Sequence, residues 1–119
     1  MRDDSQRLLD IQMALDRIIA KTSVGRAAFE TDEMLQVWVL HHLQIIGEAA
    51  RHLSDQFRKG HPDRVWSEAI GLRNILVHHY FEINPERIWR VIENDLGDLQ
   101  TKVSRALSEQ EGNTDIESH

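Results

Sequence analysis

Apolar residues recur every three or four positions along most of this chain, a spacing that places them on one face of an α-helix. The pattern predicts four long amphipathic helices and one short helical turn. The second long helix carries apolar residues on more than one face, so we expect it to pack against partners on two sides. The main periodic positions are, in chain order, Leu8, Ile11, Leu15 and Ile18; Met34, Leu35, Trp38, Leu43, Ile46, Leu53 and Phe57; Val65, Trp66, Ala69, Ile70, Leu72 and Leu76; and Ile88, Ile92, Leu96, Leu99, Val103 and Leu107.

Capping residues, glycine and proline set the predicted boundaries. Asp4-Ser5 are expected to cap the first helix, which ends near Lys21 and is followed by a turn over residues 26–30. Thr31 is expected to cap the second helix, with Asp32 and Glu33 in its first turn, and the pattern extends this helix to Phe57. Lys59-Gly60-His61-Pro62-Asp63 is the strongest break, and Asn84-Pro85 opens a fourth helix that runs to about Ser108.

Strand patterns are absent from the sequence, since no alternating run of β-branched residues is bounded by turns. The predicted fold is therefore all-α, an up-down bundle of four main helices plus a short helical turn. We expect a single domain over residues 1–108. The polar residues 109–119 are expected to form a disordered tail.

Composition narrows the possible functions. With no cysteine there is no disulfide framework, no thiol nucleophile and no thiolate metal site. The net charge of −6 argues against a protein that coats nucleic acid by charge alone. No apolar run approaches the ~18 residues of a membrane span, and Met1-Arg2-Asp3-Asp4 does not begin a secretory signal, so we expect a cytoplasmic protein without membrane contact.

The greatest concentration of reactive groups lies near the C-terminal end of the third helix, over residues 71–81. An ideal helix, at about 100° per residue, places Asn74 and His78 on one face and Arg73 with Tyr80 on another. Arg73 and His78 then diverge by roughly 140°. If both act on one atom, the helix ends near His78, Arg73 bends around, or a second copy of the chain completes the site.

Each of these residues also has a structural interpretation. A helical arginine usually forms a salt bridge, and an Arg-to-His spacing of five is common by chance with this composition. Tyr80 alone is typical of a packed aromatic residue. The pairs His41-His42 and His78-His79 do not predict a metal site, because adjacent histidines point about 100° apart on a helix. We expect His42 to be a hydrogen-bonded core residue, Gly47 to allow close helix packing, and Glu48 to pair with Arg73.

The wider context of the motif carries a resemblance. The run Arg73-Asn74-Ile75-Leu76-Val77-His78-His79-Tyr80-Phe81 resembles the R-N-x-L-V-H-x-Y-F signature of the HepT-like HEPN toxins. Ile46-Gly47-Glu48-Ala49 resembles that family's I-G-E-A element. The resemblance covers roughly residues 5 to 105.

The resemblance implies an all-helical homodimer that acts as a metal-independent endoribonuclease without a cofactor. It implies Arg73 and His78 as the catalytic pair in a cleft at the dimer interface, with Asn74 as supporting polar residue. It also implies a partner antitoxin, an MNT-type nucleotidyltransferase that transfers AMP to Tyr80, and leaves open whether the antitoxin acts by this modification, by forming a larger complex with the homodimer, or by both. tRNA and mRNA are both candidate substrates.

The residue chemistry agrees with that activity. RNA supplies its own nucleophile in the 2′-hydroxyl, so cleavage needs proton transfer and charge stabilisation. Histidine exchanges protons near neutral pH, and arginine offers a fork of donors to phosphate. Two alternatives stay open: a noncatalytic helical partner that presents substrate to a nucleotidyltransferase, and a structural dimer whose polar motif specifies pairing.

Overall fold

The chain folds into helices joined by short connections. The structure, a computed structural model, describes residues 3–78 and 84–117, with the backbone alone for residues 111–117. This described part contains no strand, which confirms the all-α prediction. Its helices are α1 (Asp4–Thr22), α2 (Arg26–Thr31), α3 (Glu33–Arg51), α4 (Asp55–Gly60), α5 (Arg64–His78), α6 (Pro85–Asn94) and α7 (Leu96–Glu117).

Helix α3 lies at the centre of the bundle, with α1 on one side and α5 on the other. This confirms the expectation that α3 packs on two sides. Helix α7 packs against α1 and α6. The apolar face of α1 is fully buried, and burial of each such side chain contributes roughly 1.5–3 kcal/mol to the free energy of unfolding. The residues of this face are Leu8, Ile11, Leu15 and Ile18.

Side-chain caps fix where several helices begin. Asp32 accepts a hydrogen bond from Leu35 N at the start of α3, and Asn84 accepts one from Arg87 N at the start of α6. The Asn84 cap confirms the sequence prediction, whereas the cap of α3 is Asp32 and not Thr31, which is the last residue of α2. The cap of α1 is Asp3, whose Oδ1 accepts from Gln6 N at 2.9 Å, so the prediction of Asp4-Ser5 was wrong by one residue.

The second predicted helix is two helices in the structure. Helix α3 ends at Arg51, and Ser54 caps the separate helix α4 by accepting a hydrogen bond from Phe57 N at 3.0 Å. Ser54 also donates to Asp4 from its backbone N and its hydroxyl, at 2.8 and 2.6 Å. Leu53 within the break and Phe57 after it are both buried. The apolar spacing therefore continues in phase through the break, and the local signal that marks it is the Ser54 cap.

The fourth predicted helix is also divided. Helix α6 ends at Asn94 and α7 begins at Leu96, with Asp95 between them. Burial, and then the nearby carboxylates of Glu68 and Asp98, raise the pKa of Asp95 above its usual range. The fold class stands, but the four predicted long helices are distributed over six of the observed elements.

The last helix continues beyond the predicted end near Ser108. Ser5 Oγ donates to Gln110 Oε1 at 2.6 Å, and His61 Nε2 lies 2.7 Å from Glu109 Oε2. These contacts join residues far apart in sequence and explain why the helix extends into the segment for which the sequence predicts disorder. The domain boundary at residue 108 stays a prediction.

Among the described residues, no helix is both long enough and apolar enough to cross a lipid bilayer.

Candidate active site

The third predicted helix is α5, and it presents the motif residues as expected. Its buried side chains include Trp66 and Leu76, which fix the helix against the core. Arg73 is half-buried, whereas Asn74 and His78 are exposed. Arg73, Asn74 and His78 all lie on α5, and the structure describes this helix as far as His78.

Gly47 allows α3 and α5 to approach closely at the motif. A Cβ atom added at Gly47 would lie 2.1 Å from Arg73 Cβ and 2.8 Å from the carbonyl oxygen of Ala69. Both distances are too short for van der Waals contact. This confirms that Gly47 is a packing residue and shows that its neighbour across the interface is the stem of Arg73.

The Arg73 guanidinium is held between two polar side chains. Its Nε lies 3.2 Å from Glu48 Oε2, which confirms the predicted pairing. Its Nη1 donates to Asn74 Oδ1 at 3.3 Å. Glu48 Oε2 is buried, and apart from this ion pair it has no hydrogen bond within the described structure.

The other oxygen of Glu48 has two neighbours at the C-terminal end of α3, Arg51 and the C-cap residue His52. Arg51 Nη2 donates to Oε1 at 3.1 Å, and His52 Nε2 lies 2.9 Å from the same oxygen. The hydrogen bonds from His52 and Arg51 hold the pKa of Glu48 below its usual range, against the opposing effect of desolvation and with help from the charge of Arg73. Glu48 is therefore a carboxylate shared between α5 and the end of α3.

A groove of about 340 Å³ lies between α1, α3 and α5 and contains this ion pair. Its lining combines apolar residues with charged ones, including two residues that the sequence analysis did not select, Arg7 and His41. Arg7 Nε is buried and makes no hydrogen bond among the residues that are described. The helical spacing of His41, Ile45 and Glu48 would have placed these three on one face, but no sequence signal indicates that Arg7 joins them. The complete lining is Arg7, Asp10, His41, Gln44, Ile45, Glu48, Ala49, Arg73 and Val77.

The motif residues are only partly brought together within one chain. Arg73 and Asn74 are in contact, but His78 does not belong to the lining of the groove that holds Arg73. Tyr80 and His79 lie outside the residues that the structure describes. The roles predicted for Arg73, His78, Asn74 and Tyr80 therefore remain predictions.

The histidine pair in α3 is divided between the interior and the surface. His42 is buried with Nδ1 2.8 Å from the carbonyl oxygen of Trp38, which confirms a hydrogen-bonded core residue, whereas His41 is exposed beside the groove. In the described ranges, no three side chains of the His, Asp or Glu type are grouped so that they could hold a metal ion.

A larger concavity of about 510 Å³ lies between α5 and the α6–α7 side of the bundle. Its lining is mostly aliphatic, and its charged members are Glu68, Arg87 and Asp95. It contains neither Arg73 nor His78. The smaller groove is the better candidate site because it contains Arg73 and its partner Glu48.

Together the fold and the site define an all-α bundle of the HEPN-like class, with an arginine and a histidine presented by one helix. A family model described as "Ribonuclease HepT-like" matches residues 11–106 of this chain. The chain therefore belongs to the HepT-like ribonuclease family.

Curated relatives agree with that assignment. A protein of Methanocaldococcus jannaschii named "Putative RNase" is 34% identical over 103 residues, which cover 86% of this chain and 94% of the relative. "Probable ribonuclease HepT" of Thermococcus cleftensis is 31% identical over 105 residues, which cover 87% of this chain and 96% of that protein. No solved structure matches the chain significantly.

Proposed function

We propose that this protein is a metal-independent endoribonuclease whose catalytic residues are Arg73 and His78. The observation that carries the proposal is the placement of these residues in a chain of the HepT-like ribonuclease family. Arg73 is held at the edge of a groove by Glu48 and Asn74, and His78 is exposed at the end of the same helix.

In the proposed reaction the RNA 2′-oxygen attacks the adjacent phosphorus while the bond from phosphorus to the 5′-oxygen breaks. His78 accepts the proton of the 2′-hydroxyl, and a protonated His78 of a second copy donates a proton to the leaving 5′-oxygen. The products are a 2′,3′-cyclic phosphate and a 5′-hydroxyl. Arg73 stabilises the charge on the phosphoryl oxygens, because preorganised donors act most strongly where charge develops. Asn74 supports Arg73.

The proposed active unit is a homodimer. Helix α3 exposes apolar side chains at helical spacing, with Met34 84%, Val37 49% and Trp38 38% accessible, on the face that continues to His41 and the groove. Val77, between Arg73 and His78, is 46% accessible. We call Met34, Val37, Trp38 and Val77 the apolar stripe. A second copy seated on the apolar stripe would bury it and bring a second His78 towards the groove, since a two-fold axis pairs equivalent surfaces.

The proposed biological role is that of a toxin in a toxin-antitoxin module. Its partner would be an MNT-type nucleotidyltransferase antitoxin that transfers AMP to Tyr80, two residues after His78. The added nucleotide would place a phosphate anion and a bulky group beside the substrate phosphate. The family membership and the motif sequence support this role, and a cytoplasmic location is part of the proposal.

The proposal is tested by incubating the purified protein with total RNA or tRNA in EDTA. We expect cleavage to fall by about 10²–10⁴-fold in His78→Ala, the usual contribution of a general acid or base. In Arg73→Ala we expect a fall of about 10²–10³-fold, the typical loss of one preorganised donor. The matched control is Arg64→Ala, which replaces a highly exposed arginine of the same helix that does not line the groove.

Equal cleavage by wild type and by both catalytic variants would indicate a contaminating nuclease and refute the proposal. RNA binding without cleavage would instead favour a noncatalytic partner that presents substrate to a nucleotidyltransferase. For the antitoxin, mass spectrometry of the co-expressed protein should show an AMP increment on the peptide that contains Tyr80. Neutralisation without that increment would indicate inhibition by complex formation.

A further inference from the structure

The side chain that fixes the position of Arg73 comes from a different helix. Glu48 reaches Arg73 from α3, across the interface that Gly47 keeps narrow. A guanidinium on a long flexible stem has many rotamers, so one contact to its Nε and another to its Nη1 restrict it strongly. Those two contacts leave the Nη2 donors for a phosphate oxygen.

The carboxylate of Glu48 is also held by residues other than Arg73. Arg51 and His52 both bind Glu48 Oε1, which leaves Oε2 to face the guanidinium. Oε2 is buried and has no hydrogen bond of its own among the described residues. The Glu48 side chain as a whole is 39% accessible, but Oε2 faces Arg73 Nε at 3.2 Å, so the two side chains restrain one another.

We infer that Glu48 is a positioning residue for the reaction, which orients the Arg73 guanidinium towards the scissile phosphate. The inference rests on the proposed ribonuclease function and goes beyond it, because Glu48 itself touches no reacting atom. It predicts an unusual kinetic pattern. Loss of the carboxylate charge should reduce the rate of cleavage but not the affinity for RNA, since it removes a negative charge from a phosphate-binding groove.

The decisive variant is Glu48→Gln, which keeps the size of the side chain and removes its charge. We expect the single-turnover cleavage rate to fall roughly 10- to 100-fold, the scale of loss when a catalytic group is misplaced by about 1 Å. Binding of a fully 2′-O-methylated RNA, which lacks the nucleophilic hydroxyl, should stay equal to wild type or become tighter. A residue needed only for folding would not separate the two measurements in this way.

Two controls isolate the contact to Arg73. Arg51→Ala and His52→Ala, made separately, each remove one partner of Glu48 Oε1 while the charged carboxylate stays beside Arg73, so each should lower the cleavage rate by less than Glu48→Gln does. In the Arg73→Ala background, Glu48→Gln should cause no further loss, because a residue that acts through Arg73 has nothing left to position. An independent loss in that background, or a wild-type rate in Glu48→Gln alone, would overturn the inference.

Failure of the proposed function is recognised separately. If wild type does not cleave RNA, or if Arg73→Ala leaves cleavage intact, the ribonuclease assignment fails whatever Glu48 does. The positioning of Arg73 is then read by NMR from its Nε–H resonance, identified by its absence in Arg73→Ala. We expect Glu48→Gln to shift this signal and to accelerate its exchange with water. An unchanged signal would refute the positioning role on its own.

Discussion

Gly47 and Arg73 show how one missing side chain sets the geometry of the site. The absence of a Cβ at Gly47 lets the stem of Arg73 pack directly on the backbone of α3. The next residue, Glu48, then meets the guanidinium. Two neighbouring residues of α3 therefore fix Arg73: Gly47 makes room for its stem, and Glu48 forms an ion pair with its guanidinium.

Replacing Gly47 by alanine should destabilise the protein although alanine favours helices. The new methyl group would lie 2.1 Å from Arg73 Cβ, and overpacking of this kind costs about 1–3 kcal/mol. Helix propensity returns about 1 kcal/mol, so we expect a net loss of up to about 2 kcal/mol in the free energy of unfolding, measured with urea. Cleavage should fall too, because Arg73 is displaced.

Gly71→Ala is the matched control for this measurement. Gly71 is also a helical glycine, but nothing lies within 4 Å of its added Cβ. Gly71→Ala should therefore raise the free energy of unfolding by about 0.5–1 kcal/mol through helix propensity alone. A stable, fully active Gly47→Ala protein would contradict the close packing of α3 and α5.

At the scale of elements, α7 is tied to the connection between α4 and α5. The ring of His61 stacks on Phe57 with centroids 4.1 Å apart, its Nδ1 lies 3.0 Å from the Phe57 carbonyl oxygen, and its Nε2 faces Glu109. Burial acts to lower the pKa of His61, but the hydrogen bonds to Glu109 and Phe57 and the nearby carboxylates outweigh it, so the pKa is raised. The protonated form is the one that the fold prefers.

This contact should make the stability of the protein depend on pH. Because the folded pKa of His61 lies above its ordinary value of 6.5, the stabilisation is fully present below that pH and is lost as pH rises through the folded pKa. We expect wild type to exceed Glu109→Gln by about 0.5 kcal/mol near pH 5.5, with the difference shrinking near pH 8.5. Urea unfolding at the two pH values measures it, and a difference independent of pH would contradict the ion pair.

At the scale of the whole molecule, the exposed apolar stripe and the position of His78 both favour a homodimer. His78 is not part of the groove that contains Arg73. The apolar stripe passes between these features, since Val77 lines the groove while Met34 and Val37 extend along α3. Burial of the stripe by a second copy would link dimer formation to completion of the proposed site.

Val37→Glu tests this link without changing the groove. We expect it to shift the protein from dimer to monomer in analytical ultracentrifugation, because a charge would be buried without a partner. Cleavage should fall in parallel and recover at high protein concentration. Val24→Glu, at another exposed valine between α1 and α2, 62% accessible against 49% for Val37, should leave both properties unchanged. A monomeric wild type with full activity would refute the composite site.

The sequence alone determined the helical class and the family, whereas the expected pairing of Glu48 with Arg73 joins two helices and needed the tertiary structure to confirm it. The helical class and the family depend on apolar spacing, on short motifs and on local caps such as Asn84, and these signals are complete within a few residues. Gly47 was also interpretable, because a glycine inside a helix usually has a packing reason.

The tertiary structure decided where helices break and which side chains share the groove. The break before Ser54 depends on Asp4, the extension of α7 involves His61 and Ser5, and Arg7 joins the groove from α1. In each case the partners lie far apart in sequence. At the break before Ser54, the apolar spacing also stays in phase and gives no sign that the helix ends. Periodicity reports which face of a helix is buried, but only packing determines which helices meet and which residues they bring together.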